Sequence, residues 1–153
     1  MATKSFRFVQ FADLRLEGVG IMHASFTLLL NVTENNIENG KHLYLFASLL
    51  CNAAKAYGSG KLLPWCQVSN NIDYNKYILS QSKRSFALNH NEIMIGDVDF
   101  IISDRRNKNA ILEVQAGYAL DTGYTGIIRP FPGKVTRKIL LNSFNRGDYE
   151  KLS

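Results

Sequence analysis

Short stretches in which apolar and polar residues alternate recur along the chain. Alternation over about four to eight residues is typical of half-buried β-strands, because successive side chains of a strand point to opposite faces. The pattern predicts strands at residues 5–11, 21–32, 74–80, 85–95, 97–103, 110–118 and 125–131. The polar stretch at residues 33–40 predicts a loop.

One long segment departs from this alternation. Residues 41–57, KHLYLFASLLCNAAKAY, are apolar around most of a helical circumference, and only Ser48, Asn52 and Lys55 form a thin polar stripe. Gly58 follows in the position of a helix cap. A helix that is apolar on nearly all sides is a buried one, and this segment is shorter than the roughly 20 apolar residues that span a bilayer. We therefore predict a long buried helix.

The last segment, residues 133–152, also has helical spacing. It predicts a short amphipathic helix whose apolar face is formed by Val135, Ile139, Leu140 and Phe144. No internal repeat or linker divides the chain, so residues 1–153 are predicted to form one domain. Strands on both sides of a long helix favour an α+β fold, with a mainly antiparallel sheet around the helix at residues 41–57.

The composition is that of an ordinary globular protein, with 46% hydrophobic and 20% charged residues. Cys51 and Cys66 are too few for a disulfide framework, and the N-terminal segment lacks the continuous apolar stretch of a signal peptide. These features predict an intracellular protein that is not secreted and has no transmembrane segment. A virion or the cytoplasm of a host cell is compatible with this prediction.

The net charge of +5 is unevenly distributed along the chain. Residues 101–153 hold nine Lys/Arg and five Asp/Glu, whereas residues 1–100 hold nine and eight. A basic C-terminal third favours contact with nucleic acid, an anionic membrane surface or an acidic partner protein, although solvated turns carry such charges as well. The candidate anion-binding residues are Lys83, Arg84, Arg105, Arg106, Lys108, Lys134, Arg137 and Lys138.

The clearest chemical pattern is IGDVDFIISDRRNKNAILEVQAGYA, at residues 95–119. Asp97 and Asp99 share one face of the first predicted strand, and Glu113 and Gln115 share one face of the second. If the two strands form a hairpin that pairs Asp99 with Glu113, all four side chains lie on one side. A register shift of one residue separates them.

With that register, the segment resembles the metal-binding hairpin of the PD-(D/E)xK nuclease superfamily. The resemblance implies an Mg²⁺-dependent nuclease in which Glu113 and Asp99, or Asp97 in its place, bind the ion. Gln115 would take the position of the usual lysine, which is a departure from the motif. The resemblance covers about 20 of the 153 residues.

The rest of the chain offers no complete catalytic set, since His23, His42 and His90 show no metal-ligand spacing. The leading hypothesis is therefore a non-catalytic protein without a cofactor that associates with itself or with another protein. A matrix-like structural protein of a virus or phage, or an inhibitor-type protein, would have these properties. The many short strands support this hypothesis, because strand edges must be paired or protected. The Mg²⁺-dependent nuclease is the alternative.

Overall fold

The chain folds into two antiparallel β-sheets. The structure, a computed structural model, describes residues 2–16, 20–51, 61–79, 93–103, 109–121 and 128–141. Its strands are β1 (Ala2–Leu16), β2 (Gly20–Ile37), β3 (Gly40–Cys51), β4 (Lys61–Asn70), β5 (Lys76–Ile78), β6 (Ile93–Ser103), β7 (Ile111–Asp121) and β8 (Ile128–Leu140). Sheet A has the strand order β1-β2-β3-β6, and sheet B has the order β5-β4-β7-β8.

The two sheets pack face to face around one hydrophobic core. Alternate side chains of each strand point inward, and the central strands β2 and β7 supply fully buried Leu, Val, Phe and Ala side chains. Aromatic rings of the two sheets contact each other at two points. Tyr77 of β5 stacks on Phe100 of β6 with 4.0 Å between ring centroids, and Phe26 of β2 lies 6.4 Å from Tyr118 of β7.

The predicted buried helix at residues 41–57 is wrong, because Gly40–Cys51 forms β3 in the middle of sheet A. Residues 52–57 lie outside the described residues. The odd-numbered side chains of β3 face the core, but Phe46 and Ser48 on the opposite face are buried as well. A strand buried on both faces has a continuous apolar sequence, which periodicity does not distinguish from a buried helix.

The predicted C-terminal amphipathic helix is wrong over its described part, because residues 133–140 belong to β8. Residues 142–152 lie outside the described residues. In the strand, Val135 and Ile139 are buried while Leu140 points outward and is exposed, so the three do not share a face. The α+β class is therefore wrong too, and the described fold is an all-β sandwich. Its described residues contain no helix long and apolar enough to span a membrane.

The strand predictions fare better where the alternation is strong. Residues 5–11, 21–32, 97–103 and most of 110–118 lie in strands. Of the other predicted strands, residues 76–78, 93–95 and 128–131 are in strands, while residues 80, 85–92 and 125–127 lie outside the described residues. The predicted loop at residues 33–40 is shorter than expected, because β2 runs to Ile37 and β3 begins at Gly40. Asn39 makes this tight turn possible with a φ of 58°, a left-handed conformation that asparagine tolerates better than most residues.

An ion pair is buried beside this turn, at one end of the inner face of sheet A. Lys41 Nζ lies 3.3 Å from Glu34 Oε1 and donates a 2.7 Å hydrogen bond to Asn36 Oδ1. The Lys41 and Glu34 side chains are only 1% and 4% exposed. Two buried charges are tolerated only when they are paired, because each one loses several kcal/mol of hydration.

We expect Lys41→Met to lower the free energy of unfolding by about 3–5 kcal/mol, because it removes the ammonium group that pairs with the buried Glu34 carboxylate. The double variant Lys41→Met with Glu34→Leu removes both charges and should recover most of this loss. Urea unfolding at constant pH measures both values, with Lys4→Met at an exposed position as the control. Equal losses in the single and double variants would contradict the role of the ion pair.

Candidate functional site

The four polar residues of the predicted hairpin do not converge. Asp97 and Asp99 lie on the outer face of sheet A, because β6 pairs with β3. Glu113 and Gln115 lie on the outer face of sheet B, because β7 pairs with β4 and β8. The pairing of Asp99 with Glu113 that the nuclease alternative requires does not occur, and the core separates Asp97 and Asp99 from Glu113 and Gln115. No three His, Cys, Asp or Glu residues in the described ranges are arranged to hold a metal ion.

On sheet A, the two aspartates are engaged by side chains of β3. Tyr44 Oη donates a 2.7 Å hydrogen bond to Asp97, and His42 Nε2 contacts Asp99. The other ring nitrogen of His42, Nδ1, is buried and has no hydrogen-bond partner among the described residues. Because neither ring nitrogen is open to a substrate, this His–Asp pair does not have the geometry of a general base.

Both cysteines face the core. Cys51 ends β3, within the segment that the sequence predicted to be helical, and Cys66 lies in β4. Loss of hydration on burial raises the pKa of the Cys66 thiol to about 12. Because the thiolate is the nucleophilic form, Cys66 is a packing residue at neutral pH.

The candidate anion-binding residues are only partly described. Lys83, Arg84, Arg105, Arg106 and Lys108 lie outside the described residues. Lys134 and Lys138 of β8 are exposed on the outer face of sheet B. Lys76 of β5 lies on the same face, as the strand register shows.

Arg137 has a different position from its two neighbours on β8, because it points inward. Its guanidinium donates hydrogen bonds to the Val9 carbonyl at 2.6 Å and to Gln10 Oε1 at 2.8 Å. It also lies over the ring of Phe8, 6.0 Å from the centroid. Arg137 therefore ties sheet B to β1, the edge strand of sheet A, where it satisfies a backbone carbonyl.

A pocket of about 200 Å³ opens on the outer face of sheet B. Three of its residues, Ser69, Glu113 and Lys138, lie side by side across β4, β7 and β8. Ile111 and the turn after β4 complete the lining, which consists of Ser69, Asn70, Asn71, Tyr74, Ile111, Glu113 and Lys138. The pocket brings together Glu113 and Lys138, which the sequence assigned to different candidate sites.

The turn at the rim of the pocket is held by asparagine side chains. Asn70 Oδ1 accepts hydrogen bonds from the backbone N–H groups of Ile72 and Asp73, both at 2.9 Å. Asn71 Oδ1 accepts the N–H of Ile111 at 2.8 Å, which connects the turn to β7. Tyr74 follows with a φ of 60°, an unusual conformation for a bulky residue, and its side chain is 71% exposed.

Part of this site could be recognised from the sequence. The run NNIDYN at residues 70–75 has the asparagines and aspartate of a tight turn, and Tyr74 was only one of several aromatic residues near basic segments. The pocket itself depends on which strands are neighbours. A strand's own alternation does not contain that information.

A second surface lies on the outer face of β1 and β2, towards the end where Leu16 pairs with Gly20. It carries Phe11, Asp13, Ile21 and His23, which we call the ribbon patch. Among the described residues, the pairing of β2 with β3 ends at Phe26 with Cys51. Phe11 is 74% exposed and Ile21 is 64% exposed, and His23 Nδ1 lies 2.5 Å from Asp13 Oδ1 between them.

Comparison of the chain with protein families, with curated protein sequences and with solved structures gave no match.

We expect Arg137→Met to lower the free energy of unfolding by about 1–3 kcal/mol, because it leaves the Val9 carbonyl without its charged donor. Lys138→Met changes the neighbouring exposed residue of the same strand and should shift stability by less than about 0.5 kcal/mol. Chemical denaturation of both variants measures the difference. Similar values for the two would show that the contact of Arg137 with β1 does not stabilise the sandwich.

Proposed function

We propose that the protein is a non-catalytic assembly protein that binds a second copy of itself through the ribbon patch. The observation that supports this most is the exposure of Phe11 and Ile21 on the outer face of the paired strands β1 and β2. Large apolar side chains at the centre of an interface supply most of its binding energy, and aromatic residues are enriched there.

The surface of the ribbon is a better candidate than the open edge of β1. Arg137 occupies the Val9 carbonyl, and Gln10 Nε2 donates a 3.3 Å hydrogen bond to the Phe11 carbonyl. A charged side chain directed at an edge strand is a common protection against strand addition. Association through the face of the ribbon leaves these contacts intact.

The ribbon patch has the composition that a two-fold interface requires. Such an interface brings the same surface of both copies together, so each residue must find its complement within the same patch. Two copies in this arrangement would place Phe11 of one on Ile21 of the other. The exposed His23 and Asp13 then exchange partners across the axis, which keeps each imidazole beside a carboxylate.

Phe11→Ser with Ile21→Ser should raise the dissociation constant of the dimer at least about a hundredfold, because it removes both apolar side chains from the interface. Sedimentation equilibrium over a concentration series measures it. Ile78→Ser with Leu140→Ser is the matched control, since both residues are exposed apolar side chains on sheet B. A monomer at every concentration of the unaltered protein, or equal effects of the two double variants, would contradict the proposal.

The outer face of sheet B supports a second candidate function, contact with an anionic polymer such as single-stranded nucleic acid. The described charged side chains on this face are Lys76, Lys134, Lys138 and Glu113. Lysines spread over a sheet face suit phosphates, whose binding weakens steeply as salt rises. Tyr74 adds an exposed ring on the same side, and aromatic rings stack on bases.

Lys76→Glu with Lys134→Glu should weaken binding of single-stranded DNA at low salt at least about tenfold, because each change replaces a phosphate contact with a repulsive charge. Fluorescence anisotropy at several salt concentrations measures the affinity and its salt slope. Lys4→Glu with Arg7→Glu makes the same change in net charge at exposed positions of sheet A. A similar loss in both variants would indicate net charge alone and would count against this face.

A further inference from the structure

We propose that the pocket on sheet B binds a neutral sugar ring. This site is separate from the ribbon patch on sheet A, so it goes beyond the proposed assembly function and is tested independently of it. It shares Lys138 and Tyr74 with the candidate nucleic-acid surface, and the phosphate probe in the experiment below distinguishes the two. The pocket holds the three kinds of group that a sugar requires, namely an aromatic surface, hydrogen-bond acceptors and hydrogen-bond donors, within a volume of about 200 Å³.

The apolar part of the pocket comes from Tyr74 and Ile111. A sugar ring has one face of C–H groups, which packs on an aromatic ring while its hydroxyl groups remain at the periphery. The Tyr74 side chain is 71% exposed at the rim, so its ring is open to such a contact. Because aromatic rings have a negative face, they favour the weakly positive C–H groups.

The polar part comes from Glu113 and Lys138, which lie directly opposite each other on β7 and β8. Within the described residues, the ion pairs are Lys41 with Glu34 and two His–Asp contacts, and none of them includes Glu113 or Lys138. The Glu113 carboxylate accepts one 3.3 Å hydrogen bond from Gln115. The second carboxylate oxygen and the ammonium group of Lys138 are therefore an acceptor and a donor for adjacent hydroxyl groups.

The charged groups and the volume of the pocket limit the class of ligand that it can bind. The two charged groups that line the pocket have opposite signs, so an anion meets the Glu113 carboxylate and a cation meets the Lys138 ammonium. A neutral ligand with several hydroxyl groups uses both without repulsion. The volume lies below the roughly 300–1,000 Å³ of pockets for drug-sized molecules, which fits one ring.

The backbone of Tyr74 gives an independent reason to look for a ligand here. A left-handed φ of 60° suits glycine or asparagine, and tyrosine in this conformation destabilises the fold. The neighbouring turn holds it in place through Asn70 and Asn71. Strained residues of this kind cluster at binding sites, where the side chain has a role that outweighs the loss of stability.

The test is a titration of the ¹⁵N-labelled full chain with single sugars, followed by NMR. The panel contains glucose, galactose, mannose and N-acetylglucosamine, with inorganic phosphate and glycine betaine as anionic and zwitterionic probes. We expect at least one neutral sugar to shift the amide signals of the turn and of β7, with saturation in the millimolar range, about that of a −4 kcal/mol interaction. Phosphate and betaine should leave these signals unchanged.

Two variants locate the binding and separate it from a structural role. Tyr74→Gly should weaken sugar binding at least about tenfold while its Tm stays the same or rises, because glycine relieves the left-handed backbone. Glu113→Gln should weaken it as well, since a charged acceptor makes the stronger hydrogen bond. Phe11→Ala, an exposed aromatic residue on the other sheet, should bind the sugar unchanged.

Three results would overturn the proposal. The first is the absence of any sugar-dependent shift up to about 100 mM, where even very weak sites fill. The second is undiminished binding in both Tyr74→Gly and Glu113→Gln. The third is binding of phosphate or betaine in this pocket with no binding of a neutral sugar, which would assign the site to a charged ligand.

Discussion

The inner faces of sheets A and B are apolar, and their burial against each other determines where the other side chains of these strands lie. Leu28, Leu30 and Val32 of β2 are shielded from water together with Leu112 and Val114 of β7. Because side chains alternate along a strand, the residues between them must point to one of the two outer faces. Asp97 and Asp99 of β6, Glu113 of β7, and Lys134 and Lys138 of β8 are on those faces for this reason.

The same constraint explains why β6 and β7 lie in different sheets although they are consecutive in sequence. Each has one apolar face, with Phe100 and Ile102 on β6 and Leu112 and Val114 on β7, and each covers the core from its own side. A hairpin that placed both strands in one sheet would put their acids together, but the sandwich turns them to opposite surfaces. The alternation predicted the polar face of each strand correctly and left open which strands are neighbours.

The errors in secondary structure have a related cause. β3 lies between two strands, and its outward residue Phe46 is buried in addition to the inward Leu43, Leu45 and Leu49, so alternation disappears from its sequence. For β8 the cause is different, since Val135 and Ile139 are four residues apart and suit either a helix face or the same side of a strand. Here tertiary pairing with β7 decides the conformation, and the sequence of one segment cannot supply it.

Two buried or partly buried cations stabilise the sandwich, one in its interior and one at its edge. Lys41 and Glu34 meet at one end of sheet A, and Arg137 reaches from β8 to the carbonyl of Val9 on the edge strand β1. Lys41 places a cation beside a buried carboxylate, and Arg137 places a donor at a backbone carbonyl of the edge strand. These contacts stabilise the interior and the edge of the fold. The ribbon patch and the pocket on sheet B are not part of them.

Because the ribbon patch and the pocket on sheet B are separate from these contacts, their residues could change without loss of the fold. Phe11 and Tyr74 are both exposed, and neither belongs to the buried core cluster. Replacement of either residue removes little packing, so stability alone does not account for an exposed phenylalanine or for a tyrosine in a left-handed conformation. Binding of a second copy at Phe11 and of a ligand at Tyr74 is the physical explanation that we propose for these two exceptions.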